Sequence, residues 1–247
     1  MSRSDRQRIA RRASLVAIAV FALIAPATVG CGGGDFGAEL AARPEPLPIA
    51  AESAQPIRLP GETGYSITLA PAQKAPGLNG AAEVSATADK TGRASAEARV
   101  KNGGTASAGF QLGHSFRNAS DRQIDLDVSV SADVAYAARS TPSDGVSHAN
   151  IELTLFAQNQ RNLTLARMPL VRHGTEDGNA ESDETRRITL TVTLSPGDTA
   201  MIYLAGQARI DTQEGQTASG SITVENLKME LTPRPAPAVR TTADESG

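Results

Sequence analysis

Residues 124–138 read Ile-Asp-Leu-Asp-Val-Ser-Val-Ser-Ala-Asp-Val-Ala-Tyr-Ala-Ala. Every second position is apolar: Ile124, Leu126, Val128, Val130, Ala132, Val134, Tyr136 and Ala138. Asp125, Asp127, Ser129, Ser131 and Asp133 alternate with them. A helix would scatter these apolar residues around its whole surface, whereas a strand puts them all on one side. The stretch predicts a long strand with one buried and one solvated face.

The same period of two recurs on both sides of it. Upstream stand Tyr65, Ile67 and Leu69, then Ala82, Val84, Ala86 and Ala88, answered across Asp89-Lys90-Thr91-Gly92 by Ala94, Ala96, Ala98 and Val100. That pair reads as a hairpin. Gly103-Gly104 turns the chain into Ala106, Ala108, Phe110, Leu112, His114 and Phe116. Downstream come Ile151 to Leu155, Leu163 with Leu165, Ile188 to Leu194, and Ala200 to Ile210. Ser195-Pro196-Gly197-Asp198 is a tight turn. In the last run Ile222 and Val224 give way to Leu227, Met229 and Leu231, a one-residue phase slip that predicts a bulge near Glu225-Asn226. Nine or ten strands with one apolar face each must pair those faces. The expected fold is therefore all-β, an antiparallel β-sandwich over residues 63–232, with the jelly roll as one arrangement of it.

Aromatic residues make up only 3% of the chain and Trp is absent, so the core must be built from aliphatic and small side chains. The segments flanking the sandwich differ in texture. Residues 32–62 hold Gly32-Gly33-Gly34 and five prolines and read as an extended tether, and residues 233–247 read as a Pro-rich disordered tail. Residues 1–30 have a basic start, an uncharged run centred on Leu15–Ala25, and small residues before the sole cysteine, Cys31. This is the order of an export signal. Its competitor is an uncleaved membrane span, against which the signal-like flanks argue. The segment carries five arginines and one acid, a net +4 against −3 for the whole chain, so the remainder carries −7. An acidic domain without a Lys/Arg stripe is a poor partner for nucleic acid.

Thr28-Val29-Gly30-Cys31 resembles a bacterial lipobox, with Thr28 where Leu is usual. The resemblance implies that Cys31 becomes the mature N-terminus and carries diacylglycerol on its sulfur. Gly32 after it is similar to lipoproteins passed on to an outer membrane. The alternative is cleavage after Ala25-Pro26-Ala27, giving a soluble protein with a free thiol. A single cysteine placed where a lipid belongs is accounted for by the first reading alone. The sandwich region resembles, in texture only, the small-residue-rich β-sandwich ectodomains of exported bacterial proteins.

Chemistry is sparse. His114, His148 and His173 share no metal-ligand spacing. Gln123-Ile124-Asp125-Leu126-Asp127 vaguely resembles the catalytic strand of some jelly-roll glycoside hydrolases, but Gln123 stands where the first glutamate belongs and Val128 follows. Residues 173–186 form an acidic stretch, read as a loop, in which Asp177, Asn179, Glu181 and Asp183 alternate like the start of a calcium loop. Ser182 and Ile188 break that motif. Residues 139–148 read as a second long loop. No cofactor, metal site or catalytic residue is expected. The expectation is a non-enzymatic envelope domain held at a membrane through Cys31, structural or binding a protein or envelope polymer. Its alternatives are a carbohydrate-binding or hydrolytic jelly roll, which aromatics gathered on one sheet face would favour, and a soluble periplasmic or secreted sandwich. Intact-mass analysis of membrane-fraction protein is expected to give a chain that starts at Cys31 with added lipid mass; one starting at Thr28 with an unmodified thiol would refute the anchor.

Overall fold

In the computed structural model, which describes residues 45–50, 55–141 and 147–236, the alternation of residues 124–138 is realised as a seventeen-residue strand whose inward apolar side chains are buried, Tyr136 only in part, and whose polar ones face out. Thirteen strands are described: β1 Leu47–Ile49, β2 Ile57–Leu59, β3 Ile67–Leu69, β4 Ala72–Pro76, β5 Ala81–Ala88, β6 Ala94–Lys101, β7 Gly104–Asn118, β8 Ile124–Ser140, β9 His148–Asn159, β10 Thr164–Gly174, β11 Ala180–Leu194, β12 Thr199–Thr212 and β13 Thr217–Pro235. The only helical element among the described residues is one 3₁₀ turn, Thr175–Asp177.

The strands form two sheets. One runs β1-β7-β12-β9-β10, with β3 and β4 also on the β7 edge; the other runs β11-β8-β13-β6-β5, with β2 also on β13. The last eight strands make four antiparallel pairs, β6 with β13, β7 with β12, β8 with β11 and β9 with β10. Alternate pairs go to alternate sheets, which is the order of a jelly roll. The inner faces meet in one aliphatic core. It is so closely filled that a Cβ on Gly220 of β13 would lie 2.8 Å from Cδ1 of Ile151, across the gap on β9.

Local chemistry makes the turns. Asp89 Oδ1 accepts from the backbone N–H of Thr91 (2.8 Å) and of Arg93 (3.1 Å), which closes the β5–β6 hairpin over Gly92. The bulge expected near Glu225-Asn226 is present: Glu225 faces Asp133, the next ladder pair is Lys228 with Ser131, and Asn226 has φ 52°.

Several boundaries differ from expectation. The segment read as tether contributes β1 and β2, because Ile49 (0% exposed) and Leu59 (4%) are drawn into the core. Three-residue strips at sheet edges tolerate the prolines around them. The stretch read as tail begins as strand, since β13 continues through Pro233, Arg234 and Pro235 beside β8, with no neighbour on its other side among the described residues; residues 237–247 lie outside them. The stretch 173–186 is largely strand: residues 180–186 open β11 and pair with residues 132–138 of β8. Polar residues on both faces hid that strand from a periodicity reading. Of the second expected loop, β8 takes residues 139–140 and β9 takes His148, while residues 142–146 lie outside the described residues, as do the signal segment and Cys31. Leu163 and Leu165 are exposed rather than core residues.

Phe110 lies directly against Gly206 of the paired strand, where an added Cβ would sit 2.2 Å from Cζ of the ring. Gly206→Ala is expected to destabilise by about 1–3 kcal/mol through overpacking, read as a drop in melting temperature. Gly206→Ala combined with Phe110→Leu should lose less than the two single losses added together; strict additivity would contradict this contact.

Candidate functional site

The outward side chains of β8 form the floor of a shallow trough on the outer face of its sheet. Two adjoining depressions mark it. One is lined by Asp127, Ser129, Thr189, Thr191, Glu230 and Thr232, the other by Ser131, Asp133, Thr185, Arg187, Asn226 and Lys228. The walls are β11 and β13, the two neighbours of β8. The short Ser129 and Ser131 lie between longer side chains on both flanks, which is what makes a trough out of a flat face.

Cross-strand register sets its chemistry. Thr193, Thr191 and Thr185 of β11 stand opposite Asp125, Asp127 and Asp133 of β8, and each threonine hydroxyl donates to its aspartate at 2.7 Å. The Asn226 amide, released by the bulge, donates to the other oxygen of Asp133 at 2.8 Å. This bond, then that of Thr185, then the nearby Lys228 charge hold the Asp133 carboxyl below the usual carboxylate range. Asp127 is clamped by Arg234, through Nη2 at 2.8 Å and Nε at 2.7 Å, and Glu230 by Arg58 at 3.1 Å. Among the described residues, the hydroxyls of Ser129 and Ser131 make no hydrogen bond and Arg187 and Lys228 make no ion pair.

The residues singled out in the sequence mostly take structural positions. Asp125 and Asp127 belong to the solvated face just described. His114 is buried on β7, its Nδ1 donating to the Ser115 carbonyl at 2.9 Å and its ring tilted against Phe116. Burial, the larger effect, pushes its imidazole below the usual histidine range, opposed by that carbonyl. His148 and His173 each lie beside the 3₁₀ turn, with different partners. His173 Nε2 bonds the Gly178 carbonyl at 2.8 Å and its ring lies 6.4 Å from Tyr136, while His148 stays 3.9 Å from Glu176, beyond hydrogen-bond reach. The calcium-like alternation is dismantled: Asp177 lies in the turn, Asn179 caps Ser140 of β8, and Glu181 pairs with Arg139 on the outer face. Among the described residues no group of three His, Cys, Asp or Glu could hold a metal ion, and no helix is long and apolar enough to cross a membrane.

The aromatics do not form a platform. Tyr65, Phe110 and Phe116 are buried. Tyr203 and Phe156 share the outer face of the other sheet, but they stack on each other with centroids 5.5 Å apart, and Arg167 lies over Phe156 at 5.4 Å. With β9 between β12 and β10, both faces of Phe156 are occupied. The trough residues Arg187 and Lys228 escaped the sequence reading because strands distant in sequence bring them together. The signals that could have found them are the Thr-x-Thr-x-Thr run of β11 and the phase slip of β13.

No family model matches the chain, and no curated protein matches it. Solved structures with some likeness include a family 11 carbohydrate-binding module of a cellulosomal cellulase of Clostridium thermocellum, at 11% identity and TM-score 0.25, covering 70% of this chain and 93% of that one. The same module in complex with a mixed-linked tetrasaccharide aligns at 13% identity and TM-score 0.24, over 71% and 95%. A xylan-binding domain from Paenibacillus barcinonensis aligns at 11% identity and TM-score 0.15, over 67% and 86%. These overlaps carry neither a fold nor a ligand across; the sandwich stands on its own strand pairing.

The buried His114 makes stability pH-dependent. Its folded pKa is depressed below an unfolded value of about 6.5, so the unfolded chain takes up a proton that the folded one refuses. The contribution is complete above that value and is lost progressively as pH falls below it. Between pH 7.5 and 5.5 the melting temperature of the parent is expected to fall more steeply than that of His114→Gln; parallel slopes would show that another group is responsible.

Proposed function

We propose that this chain is an exported envelope protein, anchored through lipid on Cys31, whose sandwich is a non-enzymatic module that binds an extended envelope polymer along the β8 trough. The trough carries the reading. It is long, shallow and open, lined by hydroxyls and by carboxylates already held by Thr and Arg, and floored by two serines whose hydroxyls have no protein partner. Such a surface offers hydrogen bonds in a line, which suits an extended polar chain better than a small molecule enclosed on most sides. Binding rather than catalysis is favoured because, among the described residues, no base is hydrogen-bonded to either serine, and the carboxylates at the head of the trough are ion-paired with arginines. A tether to a membrane would keep such a module at the polymer it holds.

The test is occlusion of the floor. Ser129→Phe changes an exposed position, so stability should move by no more than about 0.5 kcal/mol, whereas sedimentation with isolated envelope polysaccharide should drop severalfold. Undiminished co-sedimentation at an unchanged melting temperature would remove the trough from the binding surface.

A further inference from the structure

The middle of the trough differs in charge from its ends. Arg187 of β11 and Lys228 of β13 both stand opposite Ser131 of β8, one on each side. Neighbouring strands lie about 4.8 Å apart, so two cations flank one hydroxyl within reach of a single small anion. Arg58, Arg139 and Arg234 on the same face are each ion-paired, while among the described residues Arg187 and Lys228 are not. The bulge creates this row. With regular pairing below Glu225–Asp133, Leu227 would face Ser131; the bulge replaces it with Lys228 and buries Leu227 instead. Bulges are a usual means of re-aiming a side chain at a site.

We infer that Arg187, Ser131 and Lys228 form an anion subsite, and that the polymer taken by the trough is an acidic polysaccharide whose carboxylates are spaced by neutral sugars. This rests on the trough being the binding surface. A carboxylate above Ser131 can accept from the guanidinium with one oxygen, the ammonium with the other, and the hydroxyl with either. The spacing follows from the neighbouring rows. Residues on one face of a strand repeat about every 7 Å. One step along β8 in one direction is Asp133; in the other direction Glu230 stands beside Ser129, with Asp127 beyond it. A ligand with a charge on every unit would press carboxylate against carboxylate there. A neutral ring would find acceptors in Asp133 and Glu230 and hydroxyl partners in Ser129, Thr189 and Thr191. The same argument disfavours an acidic peptide.

The full chain in non-ionic detergent is titrated calorimetrically with three probes: hyaluronan, which alternates a uronate with a neutral amino sugar, its carboxyl-methyl ester, and polyglutamate. Binding of hyaluronan that weakens with salt, is about tenfold or more weaker for the ester, and is lost to the same degree in Arg187→Gln/Lys228→Gln at an unchanged melting temperature would bear the proposal out. Equal binding of hyaluronan and its ester, undiminished binding by the double variant, preference for polyglutamate, or binding of none of the three would each overturn it. Ser129→Phe separates the two readings. If it abolishes binding that the double variant keeps, the anion subsite fails and the trough stands; if it also leaves binding intact, both fail.

Discussion

The register of β8 between β11 and β13 is the constraint on which the molecule depends. Val128, Val130 and Val134 are buried to within 1% exposure, and their outward partners line the trough. Because side chains alternate with a period of two, a slip of one residue would expose the valines and bury Asp127, Ser129 and Asp133 together. The hydrophobic demand of the inner face therefore fixes which hydroxyl, carboxylate and cation meet in each outer row. The Thr–Asp pairs at rows 125, 127 and 133 follow from that register, and the β13 bulge retunes it at row 131.

The composition explains how two such sheets can pack without many aromatics. Alanines at 94, 96 and 98 on β6 and the glycines at 206 and 220 bring backbone close to the side chains opposite. One of the buried rings depends on such a gap, since Phe110 lies on Gly206. Core density near that of organic crystals can be reached with small residues if shapes interlock. The consequence is low tolerance at Gly206 and Gly220, where a methyl group has no room.

The sequence revealed the strands that are apolar on one side and polar on the other, from β5 to β9 and again in β12 and β13, because periodicity reports a face that must be buried. It missed strands for which burial is not the cause of pairing. The first half of β11 carries Ser182, Glu184 and Arg186 toward the inside, where they are only partly covered, so no apolar period marks it. β1 and β2 are too short to show a period at all and sit among prolines. The site was legible only as a solvated face. Asp125 and Asp127 could be placed on it, but Arg187 and Lys228 lie 56 and 97 positions beyond Ser131 in the sequence, so the row exists only once the jelly roll has paired their strands.

The same jelly-roll pairing leaves sheet edges, and their treatment bears on how the domain can be held. The β7 edge is covered piecewise by β1, β3 and β4, and β2 takes Met229–Leu231 in the part of β13 that β6 leaves bare. The free edge strand β10 carries Pro169 and two register breaks, and the first half of β11 is rich in charged residues, both of which discourage pairing with another chain. Two of the covering strips come from the stretch that leads out of Cys31. Using them as strands shortens the length that can act as a spacer from residues 32–62 to residues 32–46, which spans at most about 50 Å when fully extended. A lipid on Cys31 would thus keep the sandwich close to its membrane, and pull on the anchor would load the β1–β7 ladder before any long strand. That is a short parallel strip at a sheet edge, held by Ile49 in the core and by the Ala119 N–H on the Ile49 carbonyl at 2.8 Å. Under such a pull the first ladder to be loaded would be this one, whose β1 is not among the eight paired strands that carry the trough.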